Sequence, residues 1–131
     1  MYHGTDTEIR IPDVTHSRRY LDFGKGFYLT TYQKQAEKWS FRTSLRTGKP
    51  PVVNIYEVSE AWDRYHILTF EDYSREWLAF VVGCRRGGTE YLNYDIIRGG
   101  VADDDVFAAI SLYTRGIWDV ERTLRELKYY D

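Results

Sequence analysis

The chain predicts a mixed α+β domain, and three observations carry that prediction. Short runs of β-branched and aromatic residues are scattered through its first part. Apolar stripes at helical spacing gather in its later part. Glycine and proline fall between these segments as stops. The length, 131 residues, is that of one ordinary domain able to bury a core, so residues 1–131 are read as a single domain. With 12 Tyr, 6 Phe and 4 Trp, large rings supply much buried area at little side-chain entropy, which argues against disorder.

Met1 to Thr5 is short and β-like, and Pro12 keeps it from continuing far. Residues 6 to 22 are polar and irregular and read as a loop or a broken helix. In Gly24-Lys25-Gly26 two glycines bracket a lysine, so the backbone there is expected to turn and to lie close to a ligand. Phe27-Tyr28-Leu29-Thr30 follows as a strand of β-formers with Phe27 and Tyr28 facing opposite ways. Thr31 is the expected N-cap of a helix over about 31–47, because Tyr32, Ala36 and Trp39 fall at helical spacing. Gly48 supplies its left-handed stop and Pro50-Pro51 prevents a restart.

Val52 to Val58 is the clearest strand, apolar on both faces and therefore expected centrally in a sheet. Tyr65 to Leu68 is a second, shorter strand. Thr69 and Asp72 form a capping signature ahead of a helix whose stripe is Tyr73, Trp77, Phe80, Val81 and Cys84. Arg85-Arg86 suit its C-terminal dipole and Gly87-Gly88 end it. Tyr94 to Ile97 is another strand, closed by Gly99-Gly100. Asp103 to Asp105 cap a helix carrying Val106, Ala109, Ile110 and Tyr113, with Gly116 as its stop. Asp119 opens a last helix with Val120, Leu124 and Leu127. Trp39, Trp77 and Tyr113 read as core residues, and Cys84 as a small buried hydrophobe.

Charge and motif content narrow the function. The balance of 18 basic against 20 acidic residues argues against a broad nucleic-acid-binding surface. Local clusters remain at Arg18-Arg19, at Arg42, Arg46 and Lys49, and at Arg85-Arg86. A single cysteine permits no internal disulfide and no cysteine metal site. His3, His16 and His66 are far apart and no His-Glu-x-x-His occurs, so no metal is expected. Walker, Rossmann and nucleophile-elbow patterns are missing. No apolar stretch is long enough to span a bilayer, and the N-terminus does not read as a signal peptide, so a cytoplasmic setting is expected.

Two features are left: Tyr2-His3-Gly4-Thr5, and Tyr28 behind the Gly-Lys-Gly turn. Each alone would be ordinary, since such a histidine is usually packing, such a tyrosine usually core, and a glycine pair just a turn. Their order changes the weighting. Tyr2 to Thr5, then Leu21 to Thr31, then Gln35-Ala36 with Trp39, resemble the bacterial DUF3990 family. Val53 to Glu57 and Tyr94-Asp95-Ile96-Ile97, followed by Gly99 and by Val101-Ala102-Asp103, fit the same pattern. The resemblance covers essentially the whole chain, and Asp22 to Thr31 is its most specific stretch.

That family in turn resembles the ADP-ribosyltransferase superfamily of His-Tyr-Glu type, which implies a split β-sheet cleft with flanking helices and NAD as co-substrate. The resemblance implies that His3 hydrogen-bonds a ribose hydroxyl, and that Gly4 and Thr5 meet the nicotinamide amide. Tyr28 would stack on the nicotinamide ring, with Phe27 beside it. Lys25, Gly26 and nearby amides would balance the pyrophosphate. Breaking the nicotinamide–ribose bond creates an oxocarbenium-like centre that a carboxylate would stabilise. The superfamily supplies that group, Glu or Gln, from a late strand. Here the chain stops at Tyr129-Tyr130-Asp131 after a helix, where a further strand is expected. Asp103, after a strand and a glycine pair, is the substitute catalytic candidate, with Asp95 and Asp131 as alternatives and an N-cap as the ordinary reading of Asp103.

The expected activity is transfer of ADP-ribose to a macromolecule, by a bacterial toxin of a toxin–antitoxin or related conflict system. A cognate antitoxin is the expected partner. An NAD glycohydrolase, a non-catalytic NAD- or nucleotide-binding module, and an interaction domain with a peptide-binding aromatic cleft are the rival readings.

Overall fold

The computed structural model describes residues 1–14, 21–59, 62–101 and 104–127. Among them are four α-helices, one 3₁₀ turn (Glu90–Asn93) and two two-stranded sheets, a mixed α+β architecture. The chain divides into two compact units that interleave in sequence. One comprises Met1–His16 and Gly26–Trp62, the other Ser17–Lys25 and Asp63–Asp131. None of the described helices is long and apolar enough to cross a membrane.

The first unit is built on β1 (Tyr2–Thr5) and β2 (Val52–Ile55), paired antiparallel with Tyr2 opposite Ile55 and His3 opposite Asn54. The helix α1 (Gln33–Thr47) packs on β1. Contact is unusually close because the facing residues are small. A Cβ on Gly4 would lie 1.9 Å from the Ala36 carbonyl oxygen and 2.9 Å from the Ser40 nitrogen, and Ala36 and Ser40 are the buried residues of α1. This packing places Trp39 on the outside, 46% exposed, so the expected core role fails for it.

The start of α1 also differs from expectation. Tyr32, not Thr31, is the N-cap and makes no side-chain capping bond. Instead the Thr30 hydroxyl accepts from the Tyr32 amide at 3.0 Å and donates to Gln35 Oε1 at 2.5 Å. Gly48 ends the helix as expected, at φ 77°, its amide donating to the Ser44 carbonyl. β2 stops at Ile55, short of Val58, and Ile55 is 70% exposed. Its pattern of apolar residues on both faces therefore does not mark a central strand. β1 is the more enclosed one, since it also meets Thr30 on its other edge.

In the second unit β3 (Ile67–Thr69) and β4 (Ile96–Arg98) pair in parallel, and α2 (Arg75–Arg85) connects them in sequence. Ser74 caps α2, accepting from the Trp77 amide at 3.1 Å, so Thr69 and Asp72 do not form the cap. The α2 stripe is as expected: Trp77, Phe80, Val81 and Cys84 are buried. The helices α3 (Asp104–Thr114) and α4 (Val120–Leu127) add Val106, Ala109, Ile110, Thr123 and Leu127. Asp119 opens α4, its Oδ1 accepting from the Arg122 amide at 2.7 Å, and Gly116 turns at φ 75° after α3.

Asp22 and Phe23 enter this core from the most family-specific stretch. Asp22 Oδ1 accepts from Arg85 Nε at 2.7 Å and lies 2.5 Å from its terminal nitrogen, with both side chains largely buried (12% and 20% exposed). Phe23 joins Phe70 and Phe80 in an aromatic cluster. Gly24, at φ 77°, lies under the Tyr91 ring, where a Cβ would come within 2.2 Å. Arg85, expected as a dipole-compensating surface residue, is thus an internal ion-pair partner and also lies over the Phe107 ring at 4.5 Å.

Candidate functional site

The pairing of β1 sorts its residues by face and by edge. Side chains alternate, so His3 and Thr5 share a face with Asn54, whereas Tyr2 and Gly4 share the opposite, α1-facing side with Val53 and Ile55. Met1 and Tyr56 exchange both backbone bonds, at 2.6 and 2.8 Å. Hydrogen-bonded pairs alternate along an antiparallel ladder, so the pairs His3–Asn54 and Thr5–Val52 repeat this pattern. The amides and carbonyls of Tyr2 and Gly4 therefore point away from β2. Tyr2 uses this edge to exchange bonds with Thr30 at 2.8 and 2.9 Å.

His3 is half-buried and its Nδ1 lies 2.6 Å from the Tyr28 carbonyl oxygen. A carbonyl only accepts, so Nδ1 carries the proton, and in the neutral ring Nε2 is the acceptor. Phe27 stacks on the imidazole at 4.3 Å and meets Tyr56 edge-on at 5.8 Å. The strand expected over 27–30 is reduced to the single bridge at Thr30, because the Tyr28 carbonyl is turned to the imidazole. His3 nevertheless meets the Phe27 ring and the Tyr28 backbone carbonyl.

Two further residues support this arrangement. Asn54 is buried, its Oδ1 accepting from the Ile9 amide and its Nδ2 donating to the Thr7 carbonyl, both at 3.0 Å. Tyr56 donates its hydroxyl to the Ile9 carbonyl at 2.5 Å, and burial raises its pKa above the ordinary phenol value. Together they fasten residues 7–9 to β2. A signal for Asn54 existed: an amide between Val53 and Ile55 in an apolar strand needs partners if buried. Asp6 follows Thr5 but belongs with the α1-facing residues. Its carboxyl is held below the ordinary range by a Thr47 hydrogen bond, then by Thr7, with the Lys49 charge adding to them.

The remaining candidates lie elsewhere. Lys25 is exposed and falls in the second unit, and Gly26 lacks a positive φ, a Cβ there meeting Tyr28 at an ordinary 3.8 Å. Of the two glycines expected to turn, only Gly24 does so through the left-handed region. Asp95 precedes β4 in the second unit, and its Oδ2 accepts from the His66 amide at 2.8 Å. Asp103 and Asp131 lie outside the described residues. No three His, Cys, Asp or Glu side chains converge among the described residues.

The family model described as "Protein of unknown function (DUF3990)" matches residues 1–131. The chain belongs to the DUF3990 family. No curated protein and no solved structure matches it. In this DUF3990 chain the Leu21–Thr31 stretch divides between two tasks. Asp22, Phe23 and Gly24 anchor in the second unit, and Phe27, Tyr28 and Thr30 build the surroundings of His3 in the first.

Proposed function

We propose that this DUF3990 protein binds NAD on the His3 face of its first unit and acts as an ADP-ribosyltransferase. In this reading it is a bacterial toxin, restrained by a cognate antitoxin, that transfers ADP-ribose to a macromolecule. The observation that carries the reading is the 2.6 Å contact between His3 Nδ1 and the Tyr28 carbonyl. It fixes the imidazole with Nε2 as an acceptor suited to a ribose hydroxyl. The outward edge of Gly4 offers one amide donor and one carbonyl acceptor, the complement of a carboxamide. The rings of Phe27 and Tyr56 supply apolar and π surface for a flat cationic heterocycle.

In the proposed reaction the bond between nicotinamide and ribose C1′ breaks, and its electron pair leaves with nicotinamide, which becomes neutral. The acceptor then attacks C1′ and gives up a proton. His3 orients the ribose and the Gly4 edge holds the leaving group, so positioning is the contribution these residues make. Stabilising the charge at C1′ calls for a carboxylate.

Calorimetric titration with NAD, paired with nicotinamide release, tests the proposal. Tyr28→Phe should bind as wild type, and Tyr28→Ala should lose on the order of 1 kcal/mol through the missing ring. Free ADP-ribose as the sole product would favour the glycohydrolase alternative. A wild-type protein that does not bind NAD would refute the reading.

A further inference from the structure

We propose that the outer face of α1 is a docking surface for an acidic, amphipathic helix of another polypeptide. This inference stands apart from the NAD reading and uses none of its residues. Lys34, Lys38, Phe41 and Leu45 follow each other at steps of four, three and four, with Arg42 one turn on from Lys38, and so share one face of α1. The stripe lies opposite Ala36 and Ser40, the positions buried against β1. Phe41 is 59% and Leu45 72% exposed, an apolar pair one turn apart. On the shoulder, Trp39 is also exposed and carries the Arg42 guanidinium 5.6 Å from its ring centre.

The charge on this helix selects the partner. α1 has four cations, Lys34, Lys38, Arg42 and Arg46, against one carboxylate, Glu37, in a chain whose formal net charge is −2. An apolar centre flanked by cations matches a helix with apolar residues one turn apart and carboxylates beside them. A nucleic acid fits less well. The chain is acidic, with pI about 5.9, and Leu45, the most exposed apolar residue of the stripe, offers neither charge nor a stacking face.

The test uses the whole chain and a synthetic helical peptide of three heptads, leucine at a and d and glutamate at e and g, labelled for anisotropy. A second peptide carries lysine for each glutamate, and a single-stranded oligothymidylate is the third probe. The glutamate peptide should bind, and Leu45→Glu or Lys34→Glu should weaken it about tenfold or more. Melting temperatures should stay at the wild-type value, because both side chains are exposed. In cells that express the protein, a photo-crosslinking phenylalanine analogue at position 41 should form an adduct with an acidic segment of apolar period 3.5. Failure of the glutamate peptide to bind, equal binding of the lysine peptide, or tighter binding of the oligonucleotide would overturn the proposal. So would binding indifferent to Leu45→Glu, or an adduct on nucleic acid.

Discussion

Replacing Gly4 by alanine tests whether the second residue of the His3-Gly4 pair is demanded by packing before any ligand arrives. The added methyl would sit 1.9 Å from the Ala36 carbonyl oxygen, 2.8 Å from its carbon and 2.9 Å from the Ser40 nitrogen. All three are helix backbone, so no rotamer change relieves the clash. β1 and α1 must instead separate by about an ångström, at the upper end of the 1–3 kcal/mol typical of overpacked sites, about 3 kcal/mol. For a chain of this length that corresponds to a fall in Tm of about 10 °C. Thermal unfolding followed by near-ultraviolet circular dichroism reads it directly. Ala36→Gly should not rescue Gly4→Ala, because the colliding atoms belong to the backbone and not to the Ala36 methyl. A Gly4→Ala protein within about 0.5 kcal/mol of wild type, the scatter of neutral surface changes, would refute the packing argument. The glycine would then be explained by ligand contact alone.

Asp22→Ala should cost about 3 kcal/mol by leaving Arg85 unpaired in a mostly buried place, while Asp22→Leu with Arg85→Met should recover much of that, both read by urea denaturation. His3→Ala should lower stability by about 1–2 kcal/mol through the lost Tyr28 hydrogen bond and Phe27 stack, so His3 carries more of the fold than its place near the N-terminus suggests. Burial, followed by the charges of Glu90 and Asp22, raises the Cys84 pKa from its ordinary 9.0 to about 11. The folded chain therefore binds more protons than the unfolded one between these values. Stability present below pH 9 should fall by about 2–3 kcal/mol toward pH 11. Urea melts of Cys84→Ala over that range should lack this component of the slope, and an unchanged slope would show that the thiol is not its source.

The helices were the legible part of the sequence, because their signals are local. Gly48 and Gly116 stop chains where an L residue would be strained, Asp119 caps within one turn, and the Trp77–Cys84 stripe needs only its own spacing. Partners distant in sequence were less legible. A run such as Phe27–Thr30 has strand propensity, but whether it pairs depends on what faces it, and the imidazole of His3 took the Tyr28 carbonyl. Trp39 followed the helical period and still faces outward, since Gly4 admits only the small side of α1. Motif order singled out His3, Phe27 and Tyr28, which meet through a ring stack and a backbone carbonyl. Asn54 and Tyr56 were missed because their partners are backbone atoms of Thr7 and Ile9, which carry no side-chain signature.

The interleaving of the two units sets a timetable for biosynthesis. Met1 cannot pair until Tyr56 exists, a separation of 55 residues, and Asp22 must wait 63 residues for Arg85. At ribosomal speeds of about 5–20 residues per second, these waits last about 3–13 s. During that time a nascent segment carries an uncompensated carboxylate and an exposed Phe23. It also constrains inheritance. A gene fragment encoding only residues 26–62 would lack β1, and one encoding only 63–131 would lack the counter-ion of Arg85. Recombination can therefore move this protein as a whole, but no single crossover can lend out one of its units intact.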